Sequence, residues 1–537
     1  ALRIDLNDNW SITPGIMGQK QNSNGSFGTD PRLGDLRVAH FKPEYSDDTW
    51  WQAAMTVEGK IGNLDLTYAG SHLKRDVRSS SDYADYSYFY DVNYGSGAYI
   101  YNANGDIIDP TQLFEGIDRF TKDSQEIRIA SDPTKRFRFV AGLFWQRQEH
   151  GIQQRYKIDG LSPDISVPGW ADTIWLTEQA RVDVDKAVFG EVTFDITQKL
   201  SIIGGMRFFK SDNSLRGFFG YGAGYSSHTG EAACFEPGPF RGAPCVDLDA
   251  EVKQDGHTPR VTLNYKVDED KLVYATYSKG FRPGGVNRYR STPPDPPVPP
   301  SYVPDFIKNY EVGWKTSWAN NRLRFNGAVY KENWDDIQFS YLGLNGLTIV
   351  RNATSAEVKG IEADINWAVG GGLTVSAGGS YNDAKLTANY CEELTEDGSP
   401  VTECANPLAP SGTRLPISAP FKGNLTGRYQ FPMLGGEGHV QGAVVYQGPV
   451  WADLRAPDRD VMGQQASWTE FDFSFGLERN STSFELFVHN AFDKRADLFR
   501  TSECSILGPD GLPLCGNAPV AVVNTPRTIG IRFGQKF

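Results

Sequence analysis

Along much of the chain, apolar and polar residues alternate strictly. Phe137, Phe139, Ala141, Leu143 and Trp145 stand opposite Arg136, Arg138 and Gln146. Ile361, Ala363, Ile365 and Trp367 oppose Gly360, Glu362, Asp364 and Asn366, and Phe471, Phe473, Phe475 and Leu477 oppose Asp472, Ser474, Gly476 and Glu478. A period of two with one apolar face predicts strands of a sheet that separates two different solvents. Pairs of runs are joined by short turns at Asp8-Asn9, Lys60 to Asn63, Asp132 to Lys135, Thr197-Gln198, Asp268 to Asp270, Ala319 to Asn321, Gly370 to Gly372, Pro432 to Gly438 and Arg479 to Ser481. These Asp, Asn, Gly and Pro positions are the ones hairpins require. Between them run longer connections, roughly 22–35, 77–120, 159–173, 218–250, 282–303, 342–346, 388–420, 456–466 and 502–525. Nine turns join eighteen strands, and the C-terminal run makes nineteen, the first being Leu2 to Asn7.

Strand length separates a soluble sandwich from a membrane barrel. The runs 136–158, 174–196 and 199–217 reach about twenty residues, whereas sandwich strands run about five or six. A tilted strand crosses lipid in about 9–11 residues, so the excess predicts strands that project beyond the bilayer. Short turns at one end and long loops at the other are the build of an outer-membrane barrel. The fold class expected is therefore all-β, a transmembrane antiparallel barrel.

Composition narrows the reading. The 537 residues carry a net charge of −13, which argues against a nucleic-acid partner, since such proteins present a basic face. Mean hydropathy is −0.44, and no run of 18 apolar residues exists, so no transmembrane helix is expected. Membrane strands escape that test because they alternate. The six cysteines allow fifteen connectivities. Each has one near neighbour in sequence, which predicts Cys234–Cys245, Cys391–Cys404 and Cys504–Cys515 in an oxidising compartment. No CxxC spacing, HExxH, GxSxG, P-loop or GxGxxG occurs, so no enzyme, cofactor or metal is expected. The chain starts at Ala1 with no visible signal peptide, and is expected to be processed or cut from something longer.

Five stretches resemble the barrel of TonB-dependent outer-membrane receptors. They are Ser124 to Ser131, Tyr274 to Gly285 (YATYSKGFRPGG), Asn309 to Lys315, Val358 to Glu362, and Val488 to Lys494 with the final strand. That strand, with Ile529, Ile531, Phe533 and a terminal Phe537, is similar to the membrane-insertion signal of bacterial barrels. The resemblance implies a barrel of 22 strands preceded by a plug with a TonB-contacting box. The first strand here matches the family's fourth, so plug, box and about three strands are expected upstream or on a second polypeptide. It implies active uptake of a scarce solute in the bacterial outer membrane, energised by TonB–ExbB–ExbD, with a ferric siderophore as default cargo. Oligosaccharide, cobalamin or aromatic compounds are alternatives, and a passive porin or surface-binding barrel is the reading from another class.

Candidate ligand residues come from two loops. Tyr83, Tyr86, Tyr88, Tyr90, Tyr94, Tyr99 and Tyr101, with Phe89, offer flat faces and hydroxyls to an aromatic or sugar-like small molecule, or else form the interfacial girdle. Arg282, Arg288 and Arg290 follow a strand end and would attract an anionic chelate or lipopolysaccharide phosphate. Asn102, Asn104, Gly105 and Asp106 read as an Asn-Gly turn rather than a calcium loop. The prolines from Pro293 to Pro300 read as a stiff spacer. Glu362, Asp364, Asp472, Glu478 and Glu485 are expected on the inner wall, bonded to a plug or to wall arginines.

Overall fold

The computed structural model describes residues 2–25, 28–84, 100–222, 233–289, 298–342, 348–393, 395, 400–501 and 520–536. Nineteen strands form one antiparallel sheet, from Ile4–Asn7 to Thr528–Gln535, in which ladders join strands consecutive around the wall. Among the described residues no ladder joins the first strand to the last. All the expected turns close hairpins. Asn7 pairs Trp10 over Asp8-Asn9, Ile61 pairs Leu64 over Gly62-Asn63, and Met433 pairs Gly436 over Leu434-Gly435. Gly62 (φ 61°) and Gly435 (φ 73°) take the left-handed backbone that tight hairpins demand.

Strand lengths are uneven. Phe137–Lys157, Thr173–Asp195 and Leu200–Tyr221 have 21, 23 and 22 residues, whereas Thr482–His489 has 8. The wall therefore rises furthest beyond the lipid on one side.

Ladder partners share a face, so register fixes which side chains meet lipid. Phe194, Ile202 and Leu263 are successive partners, as are Val312, Val329, Ile361 and Tyr381, and all of them are exposed. Leu263 pairs Ala275, which pairs Val312, so the two series are one apolar row. One residue along, the partners Thr193, Ile203, Thr262, Thr276, Glu311 and Tyr330 face inward. There Thr262 and Thr276 hydroxyls meet at 3.0 Å, and Tyr274 donates to Glu311 at 2.6 Å. The apolar row begins at Phe137, by a turn, and ends at Phe421, by a long loop. That climb is the stagger of a tilted barrel wall.

The band's height follows from the strand Ala356–Gly370, whose outward residues from Ile361 to Val369 are all apolar. At about 3.3 Å per residue and a tilt of about 40° this gives roughly 20–23 Å. A bilayer-facing band is about 25 Å tall. Trp318 and Trp367 mark its lower rim, and Tyr310 and Tyr381 its upper one, all exposed. Gly327 lies beneath the ring of Trp314 and Gly360 beneath that of Tyr330, where an added Cβ would collide. Some of the 56 glycines thus seat aromatic rings on the wall.

At the loop end, connections fold back over the sheet. One cluster gathers Ile337, Ala353, Ala384, Leu386, Tyr390 and Leu454. A second joins Val167, Leu176 and Phe218 to Cys245 of the small hairpin Glu236–Phe240 and Ala243–Val246. The Cys234–Cys245 and Cys391–Cys404 disulfides form as expected, with Cα atoms 5.9 and 6.1 Å apart. Cys504 and Cys515 lie outside the described residues. No helix among the described residues is long and apolar enough to cross a membrane.

Candidate functional site at the loop end of the lumen

Register builds an aromatic wall at the rim. Phe114, Tyr156, Trp175 and Tyr221 are successive ladder partners on the inward face of four strands, each near the end that meets a long loop. Tyr83, one residue past the strand Leu64–Asp82, packs its ring 5.2 Å from Tyr156 and 5.7 Å from Phe114. Trp175 meets Tyr221 edge-on at 4.8 Å and is buried beneath Ile158, Leu161 and Val286. Aromatic pairs at these separations stabilise one another beyond their buried area.

Guanidinium groups lie just below the aromatics. The connection after the strand Lys271–Arg282 turns inward, held by Gly284 N donating to Gln254 Oε1 at 2.9 Å and Val286 N donating to Asn213 Oδ1 at 3.0 Å. This carries Arg288 over the inner face of the two intervening strands, where its Nε donates to Gln179 Oε1 at 2.8 Å. Arg181, two residues further down the same face, donates to Val286 O at 3.3 Å. Burial, reinforced by the Arg181 charge, pulls the Arg288 guanidinium down to about 10, so it stays cationic at neutral pH. Deeper still, His150 Nε2 lies 2.7 Å from Asp118 Oδ1 while its ring stacks on Phe120 at 3.9 Å. The combination of flat aromatic faces with fixed cations can bind an anionic, partly aromatic molecule.

The other sequence candidates fall elsewhere. Arg282 is tied to the buried carboxylate of Asp305, with Nε 3.0 Å from Oδ2, and lies over Trp334 at 5.7 Å. Tyr86, Tyr88, Tyr90, Tyr94, Tyr99, Phe89, Arg290, most of the proline run and Phe537 lie outside the described residues. Phe533 projects outward and is exposed, paired with Phe484. The five wall carboxylates face inward as expected. Glu485 meets Arg532 at 2.6 Å, and Asp472 meets His489 at 3.0 Å. Asn102 accepts from Asn104 N and Asp106 N at 2.9 and 3.0 Å, which makes that segment a turn. Cys391, Glu393 and Cys404 lie together, but both sulfurs are in the disulfide. Sequence reasoning missed Phe114, Tyr156, Trp175, Gln179 and Arg181. The alternation carried their signal, since all five share the inward parity.

A wall with a lipid face, a polar lumen and its loops gathered at one end defines an integral outer-membrane β-barrel. Residues 4–491 match the family described as TonB dependent receptor-like, beta-barrel. The chain belongs to that family, whose members are outer-membrane receptors and transporters of Gram-negative bacteria, not enzymes. The pesticin receptor of Yersinia enterocolitica is 23% identical over 417 residues, 77% of this chain and 51% of the relative. A ferric-pyoverdine 358 receptor of Pseudomonas putida is 29% identical over 150 residues, 27% of this chain and 16% of the relative. The chain thus spans about half the length of the pesticin receptor it matches. Among solved structures, the ferric yersiniabactin uptake receptor FyuA from Yersinia pestis superposes with a TM-score of 0.69 at 16% identity, covering 98% of this chain and 68% of that one. The siderophore receptor PiuA from Acinetobacter baumannii gives 0.68 at 14%, covering 100% and 73%.

Proposed function

We propose that the chain is the barrel of an active transporter that takes a ferric siderophore through the outer membrane. The observation that carries this reading is the rim of Tyr83, Phe114 and Tyr156 set above Arg288 and Arg181. Such a site suits a large anionic chelate with aromatic groups, and it is poorly suited to a neutral sugar. The relative named for ferric pyoverdine supports the same cargo class. The reading includes a plug with a TonB-contacting box and about three further strands, upstream or on a separate polypeptide, with TonB–ExbB–ExbD supplying the energy. Glu362 and Asp364, exposed on the inner wall, are then plug contacts.

The test is radiolabelled iron uptake by cells carrying the full-length gene, supplied with a panel of ferric siderophores. Arg288→Ala and Tyr156→Ala are each expected to lower uptake about tenfold, the scale of one lost charged or aromatic contact, while the receptor still assembles. Deleting TonB should abolish uptake. Uptake of cobalamin or oligosaccharide but no ferric chelate, or diffusion that ignores TonB, would overturn the reading.

A further inference from the structure

The outer wall carries a feature that uptake does not use. On five consecutive strands, from Lys271–Arg282 to Leu373–Leu386, outward positions between Val273 and Tyr381 are uncharged until the upper rim of the apolar band. Immediately above that rim the outward residues become lysines. Tyr310 pairs Lys331, which pairs Lys359, and one step higher Lys279 pairs Lys308, with Lys385 on the same row. Only Asp335, Glu357 and Asp383 interrupt them. Glu357 is shared by Lys331 (2.7 Å) and Lys359, Asp335 meets Lys308 at 2.6 Å, and Asp383 takes both Lys385 (2.9 Å) and Arg414 (3.1 Å). Lys279 lies over the Phe306 ring at 3.8 Å.

Cations therefore outnumber carboxylates on this sector, in a chain whose net charge is −13. On the neighbouring strands, from Thr173–Asp195 to Leu248–Asp268, the charges above the band are balanced, Lys186, Lys210 and Lys253 being offset by Asp212, Glu251 and Asp255. The lysines remain partly exposed, and exposed ion pairs hold their members weakly, so the ammonium groups are open to a stronger acceptor.

We propose that this lysine shelf binds the phosphate groups of lipopolysaccharide in the outer leaflet. The inference rests on the outer-membrane reading of the fold and not on the identity of the cargo. Its height, just above the tyrosine rim, is the level of the phosphorylated headgroups. Rows of strands about 4.8 Å apart space the ammonium groups so that one phosphate can bridge two of them. Cations at such a surface each add binding to anionic lipid.

The test measures lipopolysaccharide retained by the purified full-length receptor in detergent, by native mass spectrometry, with no iron cargo present. The triple variant Lys308→Gln, Lys331→Gln, Lys359→Gln is expected to lose about tenfold or more of the bound lipid. Lys186→Gln with Lys210→Gln, on the balanced neighbouring strands, should retain it. Assembly is checked by the shift of unheated barrels on gels, and the charge-keeping triple Lys→Arg should rescue retention. Titration with lipid A, dephosphorylated lipid A and phosphatidylglycerol vesicles should favour the first. Unchanged retention in the Gln triple, no rescue by Arg, or equal binding of dephosphorylated lipid A or phosphatidylglycerol would overturn the proposal.

Discussion

Arg282 ends a strand and Arg288 lies six positions on in the loop that follows, yet they do different work. Arg282 faces a buried carboxylate contributed from across the hairpin, so Arg282→Ala leaves Asp305 without its cation. We expect that change to destabilise the barrel by about 2–3 kcal/mol, read as a lower temperature for loss of the folded gel band, with ligand affinity unchanged. Arg288→Ala should do the reverse. Composition placed both at the mouth, but the partner that separates their roles is a contact across the fold, which residue spacing does not encode. A pH effect is expected at Asp493, which lies past the strand Thr482–His489. Its side chain binds Arg495 at 2.6 Å and accepts from Arg527 N at 2.8 Å, and these bonds hold its carboxyl down to about 2. A depressed folded value means the tie persists above the ordinary carboxylate range and is lost as pH falls from about 4 towards 2. Hydrogen exchange of residues 490–496 should accelerate in that window and stay flat above it.

Among the elements, the hairpins were the most legible part of the fold. Every short turn except Thr197-Gln198 announced itself by Asp, Asn or Gly, because a tight reversal restricts the backbone to a few residue types. The long connections were less legible. The loop read at 342–346 actually spans residues 336–355 and contains its own hairpin, Gln338–Leu342 with Thr348–Asn352, whose alternation merges with that of the preceding strand. The connection read as 22–35 continues to Tyr45, past Pro43, which lacks the donor a ladder needs. The two observed disulfides belong to loops, closing separations of 11 and 13 residues. Reduction should therefore loosen those loops, worth about 3 kcal/mol each in the chain-entropy account, and leave the gel shift of the folded barrel intact. By contrast, Gly360→Val would drive a side chain into the Tyr330 ring and should cost about 1–3 kcal/mol of barrel stability.

For the whole molecule, alternation yielded nineteen strands and the direction of the wall, since those follow from period and turn length alone. Which face meets lipid followed from the same alternation once the wall was read as a membrane barrel, whereas the height of each residue on that face needed the register. The register makes a claim about depth. Trp318 and Trp367 point outward at the lower rim, whereas Trp334 is inward and packs with the loop cluster. Brominated lipids should quench the first two and spare Trp334, as tested in variants retaining one tryptophan each. Equal quenching of all three would contradict the assigned faces.

The meander has a kinetic meaning as well. Every ladder of the nineteen-stranded sheet joins strands that follow one another around the wall, so that sheet can zip hairpin by hairpin, with little entropy lost to closing long loops. A break in a surface connection then severs no ladder. Between Leu373–Leu386 and Phe421–Met433, for example, the halves meet along the register from Leu373–Tyr429 to Tyr381–Phe421. Two polypeptides divided after the exposed Asn406 would keep Cys391–Cys404 within the first. They are expected to reassemble in the membrane when co-expressed, which would turn a covalent hairpin into a reporter of strand association.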